Sequence, residues 1–251
     1  MIGRVKVRAL QQHLRELRKN PATIDKVVPS SYGRGATVLQ LAARYNELEV
    51  LQGLLQAGAD PNAKQNSNNM DQTALHEAVR LGYLEVVKAL IAKGADTNQP
   101  DKYGNTPFHL AAIHDKVKVL QALLEAGADP NAKNSKTGLT ALHEAVEEGH
   151  LEVIKELIAK GADINQTDNK GNTPLHTAVS ITFSSLPMGA SGEDLEARID
   201  KVLNLLTEYP KINLNVKNNR RETPFDIATR RRFYDWYIAG RLKNVQHNKK
   251  P

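Results

Sequence analysis

A short phrase recurs along this chain at a nearly constant interval, and no other feature limits its fold so severely. Thr73-Ala74-Leu75-His76-Glu77-Ala78 returns as Thr106-Pro107-Phe108-His109-Leu110-Ala111, as Thr140-Ala141-Leu142-His143-Glu144-Ala145 and as Thr173-Pro174-Leu175-His176-Thr177-Ala178. The four threonines stand 33, 34 and 33 residues apart. A second marker keeps phase with the first: Gly58-Ala59-Asp60, Gly94-Ala95-Asp96, Gly127-Ala128-Asp129 and Gly161-Ala162-Asp163. Weaker copies of the phrase lie outside these, at Thr37-Val38-Leu39-Gln40-Leu41-Ala42 and at Thr223-Pro224-Phe225-Asp226-Ile227-Ala228. A period of this length describes small units that cannot bury an apolar face alone and must stack on their neighbours.

Each unit reads as a turn followed by two short helices. Threonine suits an N-cap, and the proline after Thr106 and Thr173 suits the first helical position, where a missing N–H costs nothing. Leu75, Ala78 and Val79 form a narrow stripe at helical spacing, which Gly82 ends. Leu84, Val87, Leu90 and Ile91 then mark a second amphipathic helix. Gly94 falls where a helix C-terminus favours a left-handed residue. Helices this short are marginal by themselves, so stacking must hold them.

This combination resembles the ankyrin repeat, whose Thr-Pro-Leu-His-x-Ala turn and period match directly. The resemblance runs from Tyr32 to about Arg241 and implies an all-α solenoid of helix-turn-helix units with short β-hairpin-like turns. The organisation expected from it is an N-terminal capping helix segment over residues 1–31, about six repeats over 32–243 and a polar, basic tail over 244–251. Alternate repeats are more alike than neighbours. Leu54 to Lys64 nearly repeats as Leu123 to Lys133, and Ile91 to Asp96 as Ile158 to Asp163, which points to duplication of a two-repeat block.

The fifth repeat is out of period, with Thr173 and Thr223 separated by 50 residues. The excess falls in residues 180–194, which include Phe183, Pro187, Met188, Gly189 and Gly192, and a helix resumes from Leu195. Such an insertion is either a binding loop or a spacer. Charge is segregated as well. Up to Ala36 there are eight Lys/Arg against two Asp/Glu; from Lys211 onward there are eleven against three. The net charge of +6 therefore leaves −8 for the middle, residues 37–210. Val7, Leu10, Leu14 and Leu17 form the stripe of a basic helix that either caps the first repeat or lies on a membrane or nucleic acid. Arg230-Arg231-Arg232-Phe233-Tyr234-Asp235-Trp236-Tyr237, within a C-terminal cap expected over 223–243, can close the last apolar face. It can equally neutralise phosphates and stack on bases.

Residues for catalysis are missing from the pattern. The chain has no cysteine, hence no disulfide, thiolate metal site or cysteine nucleophile. His76-Glu77 and His143-Glu144 begin like a zinc-protease motif, yet no histidine follows four positions on. Gly33-Arg34-Gly35 and Gly189 to Gly192 complete neither a dinucleotide fingerprint nor a P-loop. Glu147-Glu148 is a pair of acids on what should be an open surface, not in a dry cleft. The expectation is thus no enzyme, no cofactor and no metal. In ankyrin repeats the histidine of the turn is structural, which the resemblance carries over to His76, His109, His143 and His176. No apolar run reaches the roughly 20 residues that span a bilayer, and Met1 to Lys19 lacks the apolar stretch of a secretory signal.

The resemblance also implies where a partner sits, on a concave face of first helices and hairpin tips. Matching positions here are Arg44, Tyr45, Arg80, Leu81, Ile113, His114, Glu147 and Glu148 before the inter-helix turn, with Arg34, Met70, Gln72, Tyr103, Asn105 and Leu139 on the hairpins. Arg, Tyr and Met beside exposed Leu or Ile suit a protein-binding patch, with Tyr45, Arg80, Tyr103 and Ile113 as its anchors. The expected function is a non-catalytic adaptor or scaffold binding a protein or peptide, as a monomer in the cytoplasm or as a bacterial effector acting in a host cytosol. The alternative is an electrostatic binder of nucleic acid or anionic membrane through the basic ends.

Overall fold

The structure is a computed structural model, and it describes residues 36–64, 70–181, 192–230, 240 and 242–243. The helical stripe of residues 7–17, Arg34, residues 182–191 of the insertion expected over 180–194 and the Arg-aromatic run from Arg231 lie outside these. The chain divides into two compact units, Met1–Ala128 and Asp129–Pro251.

The first unit holds three helix pairs: α1 (Val38–Arg44) with α2 (Leu48–Gln56), α3 (Ala74–Leu81) with α4 (Leu84–Ala92), and α5 (Pro107–Ile113) with α6 (Val117–Glu125). The second holds α7 (Ala141–Glu148) with α8 (Leu151–Ala159), α9 (Pro174–Ser180) with α10 (Gly192–Glu208), and α11 (Pro224–Arg230). First helices pack on first helices, α1 on α3 and α3 on α5 in one unit, α7 on α9 and α9 on α11 in the other. Second helices form their own row, α2 on α4 and α4 on α6 in the first unit, α8 on α10 in the second. No strand occurs among the described residues. The hairpin-like turns reduce to features such as the isolated antiparallel bridge between Lys133 and Thr140.

The narrow stripe expected of the first helix proves too modest. In α3, Ala74 through Val79 are all buried, His76 and Glu77 included, because α1, α4 and α5 enclose it. Small residues make that possible: Ala42, Ala43, Ala78, Ala111, Ala112, Ala145 and Ala178 let helices approach closely. Second helices are amphipathic as expected, but in α4 the buried residues are Val86, Val87 and Leu90, with Leu84 and Ile91 of the expected stripe half-buried; in α8 they are Val153, Ile154 and Leu157. Full burial of a Leu, Ile, Val or Phe side chain is worth about 1.5–3 kcal/mol. Helix α10 begins at Gly192, three residues before Leu195 where the apolar spacing resumes, so the interruption after Ser180 is shorter than the period suggested.

Each first helix starts in the same way. Thr73, Thr106, Thr140 and Thr173 hold extended backbone at the N-cap. Their N–H groups donate to Nδ1 of the histidine three residues on, at 3.1, 3.3, 3.2 and 3.1 Å. Since Nδ1 accepts a backbone proton, the ring is neutral and carries its own proton on Nε2. In His143 and His176 that proton is spent on the next repeat. His143 Nε2 lies 3.0 Å from the Asn172 carbonyl and His176 Nε2 lies 3.1 Å from that of Glu222, each the residue just before the following cap. The weak copy at Thr37 works because an amide has the same two faculties. Gln40 Oε1 accepts from Thr37 N–H at 2.9 Å, and its Nε2 donates to the carbonyl of Gln72 at 2.8 Å. At Thr223 the third residue on is Asp226, whose Oδ2 accepts from Thr223 N–H at 2.8 Å.

The loops between repeats are zipped by asparagine. Asn62 accepts from Asp96 N–H at 2.7 Å and donates to the Gly94 carbonyl at 3.0 Å. Asn131 does the same with Asp163 and Gly161, and Asn165 with Asn213 and Lys211. Gly138 sits at φ 73°, and a Cβ there would stand 2.7 Å from the Asn169 backbone nitrogen.

Burial, opposed by the Asn172 carbonyl and the charge of Asp168, drives the His143 imidazole down from 6.5 to about 4. Between those values the unfolded chain holds a proton that the folded chain refuses. Stability from this group is therefore complete above pH 6.5 and is lost as pH falls toward 4, by on the order of 3 kcal/mol. His143→Gln should keep both hydrogen bonds, as Gln40 does, while removing the titration. Urea unfolding of the two proteins at pH 7 and pH 4.5 checks this: the variant should lose less stability on acidification, and an equal loss would contradict the assignment. Gly138→Ala should cost about 1–3 kcal/mol, from positive φ and backbone crowding, read as a lower urea midpoint at pH 7.

Candidate functional site

Apart from Arg34, the expected partner-facing residues fall on two kinds of element. Arg44, Arg80, Leu81, Ile113, Glu147 and Glu148 close first helices, and Tyr45 and His114 are the C-caps of α1 and α5. A left-handed residue follows at the same register in each, Asn46, Gly82, Asp115 and Gly149, so the chain turns away at the same point after every one of these helix ends. All are half-buried except Glu148, which is exposed. Met70, Gln72, Tyr103, Asn105 and Leu139 lie in the hairpin loops before the caps.

In the first unit, Lys102 N–H donates to the Met70 carbonyl at 2.9 Å, joining two neighbouring hairpins. Asp101 Oδ1 accepts from both Tyr103 and Asn105 N–H at 2.9 Å, fixing the turn that presents the Tyr103 ring. Tyr103 is 53% exposed, unusual for an aromatic in so ordered a loop. It is held outward by a rigid turn. Gln72 plays a different part: its carbonyl receives the Gln40 amide, so its backbone belongs to the repeat stack.

Arg44 and Arg80 depart from the expectation. Both guanidinium groups are bound to Glu77, Arg44 Nη2 at 2.6 Å from Oε1 and Arg80 Nη2 at 2.8 Å from Oε2. Burial pushes the Glu77 carboxyl up, yet the hydrogen bonds and charges of the two arginines outweigh it and hold the group below the usual carboxylate range. The helix pattern alone offered Arg80 as Glu77's partner at i,i+3. Arg44, a whole repeat away, could be seen only by stacking the repeats.

In the second unit the same position behaves oppositely. Glu144 takes the place of Glu77, but its carboxyl is raised to about 7, first by burial and then by Glu147 and Glu148. Burial and Glu148 also raise Glu147, against the pull of Arg198. Arg198, from α10, donates to the Glu147 carbonyl and lies 4.0 Å from Glu148 Oε2. Beside these groups opens a cleft of about 400 Å3, lined by Leu139, Glu147, Asn172, His176, Thr177 and Ile181 among others. Sequence reasoning listed Glu147 and Leu139 and passed over Glu144, Arg198 and Asn172.

The four turn histidines are buried in the caps described above, in agreement with a structural role. Among the described residues no group of three His, Cys, Asp or Glu side chains could hold a metal ion, and no helix is long and apolar enough to cross a membrane.

The chain matches the family model described as ankyrin repeats (3 copies) over residues 39–134 and 133–183. No curated protein matches it. Among solved structures it is similar to the ankyrin repeat domain of Bcl-3, described as a unique member of the IkappaB protein family, with a TM-score of 0.72 and 23% sequence identity over 96% of each chain. At that identity the likeness speaks for the fold alone. Family match, period and stacked helix pairs agree: the chain belongs to the ankyrin-repeat family.

Proposed function

We propose that the chain is a non-catalytic interaction protein, an adaptor or scaffold that binds a protein or peptide through the ends of its first helices and its hairpin loops. Ankyrin repeats generally mediate protein–protein interaction, and this supports the class of function. The observation that carries the reading for this chain is Tyr103, an exposed aromatic fixed by the Asp101 turn on the hairpins. Aromatic side chains of low flexibility are the usual anchors of an interface. Tyr45 and Ile113, half-buried at the ends of α1 and α5, supply apolar neighbours within the same unit. Arg44 and Arg80 keep their place on this face, but chiefly as Glu77's counterions. A site in the cytoplasm is proposed with this reading.

Two outcomes are expected. Capture from nuclease-treated extract should retain a protein on the wild type and lose it on the Tyr45→Ala, Tyr103→Ala, Ile113→Ala triple variant, since each such anchor is worth about 2 kcal/mol. Equal retention would remove these residues from the site, and a complex that dissolves steeply with salt would favour the basic ends instead. Glu77→Gln should lower stability by about 1–3 kcal/mol, measured by urea unfolding at pH 7, because two half-buried guanidinium groups lose their counterion.

A further inference from the structure

The turn that presents Tyr103 recurs with another kind of side chain in its place. In the first unit Asp101 Oδ1 accepts from Tyr103 N–H, two residues on, and the ring is left exposed. The second unit repeats the device three times. Asn134 Oδ1 accepts from Lys136 N–H at 2.9 Å, Asp168 Oδ1 from Lys170 N–H at 2.8 Å and Asn218 Oδ1 from Arg220 N–H at 2.9 Å. Lys136, Lys170 and Arg220 are therefore the equivalents of Tyr103, and all three are exposed. A position that carries an aromatic ring in the first unit carries a cation in three successive turns of the second.

These turns are locked to one another. Asn169 N–H donates to the Thr137 carbonyl at 3.0 Å and Asn219 N–H to the Lys170 carbonyl at 2.9 Å. The side-chain amides of the same two asparagines donate to the carbonyls of Lys136, at 3.0 Å, and Asn169, at 3.1 Å. The cations thus keep the spacing of the stacked repeats, about 8–10 Å for packed helices. The acids of the turns are half-buried and engaged locally. Asp168 accepts from Lys170 N–H, Asn172 N–H and the Asn172 amide, and Glu222 Oε2 lies 3.5 Å from Asn218 Nδ2. The ion pairs formed among the described residues leave out Lys170, Arg220 and the exposed Arg221 beside it. Lys133 differs, since its Nζ donates to the Thr167 carbonyl at 2.6 Å. The cleft of about 400 Å3 adjoins the first two turns, with Lys136 and Lys170 on its hairpin side and Leu139, Thr177 and Ile181 also lining it.

We propose that the turns of the second unit bind an extended acidic segment of a partner protein, whose Asp or Glu side chains, about three residues apart, meet Lys136, Lys170 and Arg220. This rests on the reading that the hairpin loops bind a protein, and it names that partner's chemistry. Charge complementarity identifies the ligand as acidic. Spacing identifies it as extended chain, which advances about 3.3 Å per residue, so that three residues cover one repeat. Nucleic acid suits the row less well. A DNA strand brings a charge about every 3.4 Å along its axis, roughly three for each cation. Residues 133–140, 166–173 and 216–223 also hold no aromatic ring on which a base could stack. The cleft gives room for an uncharged side chain of the same segment against Leu139 and Ile181, while Glu147 on its helix side repels a carboxylate.

The test uses the full chain. Peptides recovered on it from a random display library should carry Asp or Glu at intervals of about three residues. They are then measured by fluorescence anisotropy against wild type and two triple variants. Lys136→Gln/Lys170→Gln/Arg220→Gln empties the row; Lys93→Gln/Lys118→Gln/Lys160→Gln removes the same charge from exposed positions on and just after second helices. Three exposed charge pairs, each modest alone, should together be worth about tenfold in affinity, lost on the first variant and kept on the second. Equal Tm for the three proteins shows that lost binding is not lost fold, since exposed substitutions of this kind hardly alter stability. Recovered peptides without acids, or an equal loss on both variants, would overturn the proposal. So would an oligothymidylate strand that binds more tightly than the peptides and is lost on the first variant, in favour of nucleic acid. In the first two cases, a loss of binding on the Tyr45, Tyr103, Ile113 alanine variant leaves the binding face standing. Peptides indifferent to every one of these substitutions overturn the face as well.

Discussion

Everything in this fold hangs on a single hydrogen-bond unit, a threonine cap and the side chain three residues after it. A helix of seven or eight residues has little to hold it apart from its first turn and its neighbours. The histidine at the third position serves both needs. Its Nδ1 satisfies the cap's own N–H, and in His143 and His176 its Nε2 reaches the carbonyl just before the next cap. Starting a helix and docking the next repeat are thus one act. Because a neutral imidazole alone has an acceptor and a donor on opposite sides, protonation would break the first function, and burial keeps the proton off.

The arrangement explains why the first helices can be so thoroughly enclosed. With the polar ends satisfied in pairs, the remaining surface is alanine, leucine and valine, which first helices on either side cover. Acid–base behaviour then becomes local. His143 and Glu144 are adjacent residues with displaced affinities for protons, and they act in opposite directions. The histidine favours the folded state as pH rises from 4 to 6.5. The glutamate, raised to about 7 from 4.5, favours it below 4.5 and ceases to do so as pH passes 7.

Much of this was legible in the residues. The period, the caps and the second-helix stripes follow from spacing, and the role of Gln40 is readable from chemistry, since an amide also has one acceptor and one donor end. What escaped is whatever joins one repeat to another. Arg44 and Glu77 are remote in sequence, so nothing in the sequence pairs them, and only the stacking of repeats brings them together. The zipping asparagines, Asn62, Asn131 and Asn165, look like ordinary loop residues for the same reason. The start of α10 was misplaced because Gly192 to Asp194 are polar and carry no apolar period, while the backbone needs none to turn helical. The residues expected to face a partner follow from register, which does not reveal which of them are already paired within the chain, as Arg44 and Arg80 are with Glu77.

Gln40 and Asp226 differ in a way that bears on how such a chain can lengthen. His143, His176 and Gln40 each hand a proton forward, so a copied repeat that keeps such a residue can find a donor behind it and supply one ahead, whatever its own helix carries elsewhere. The alternation of near-identical repeats is the trace such copying leaves. Asp226 accepts and has nothing to hand on. A repeat placed directly after it would meet a carboxylate where its carbonyl needs an N–H, so growth there requires a change of residue first, whereas growth in the interior requires none.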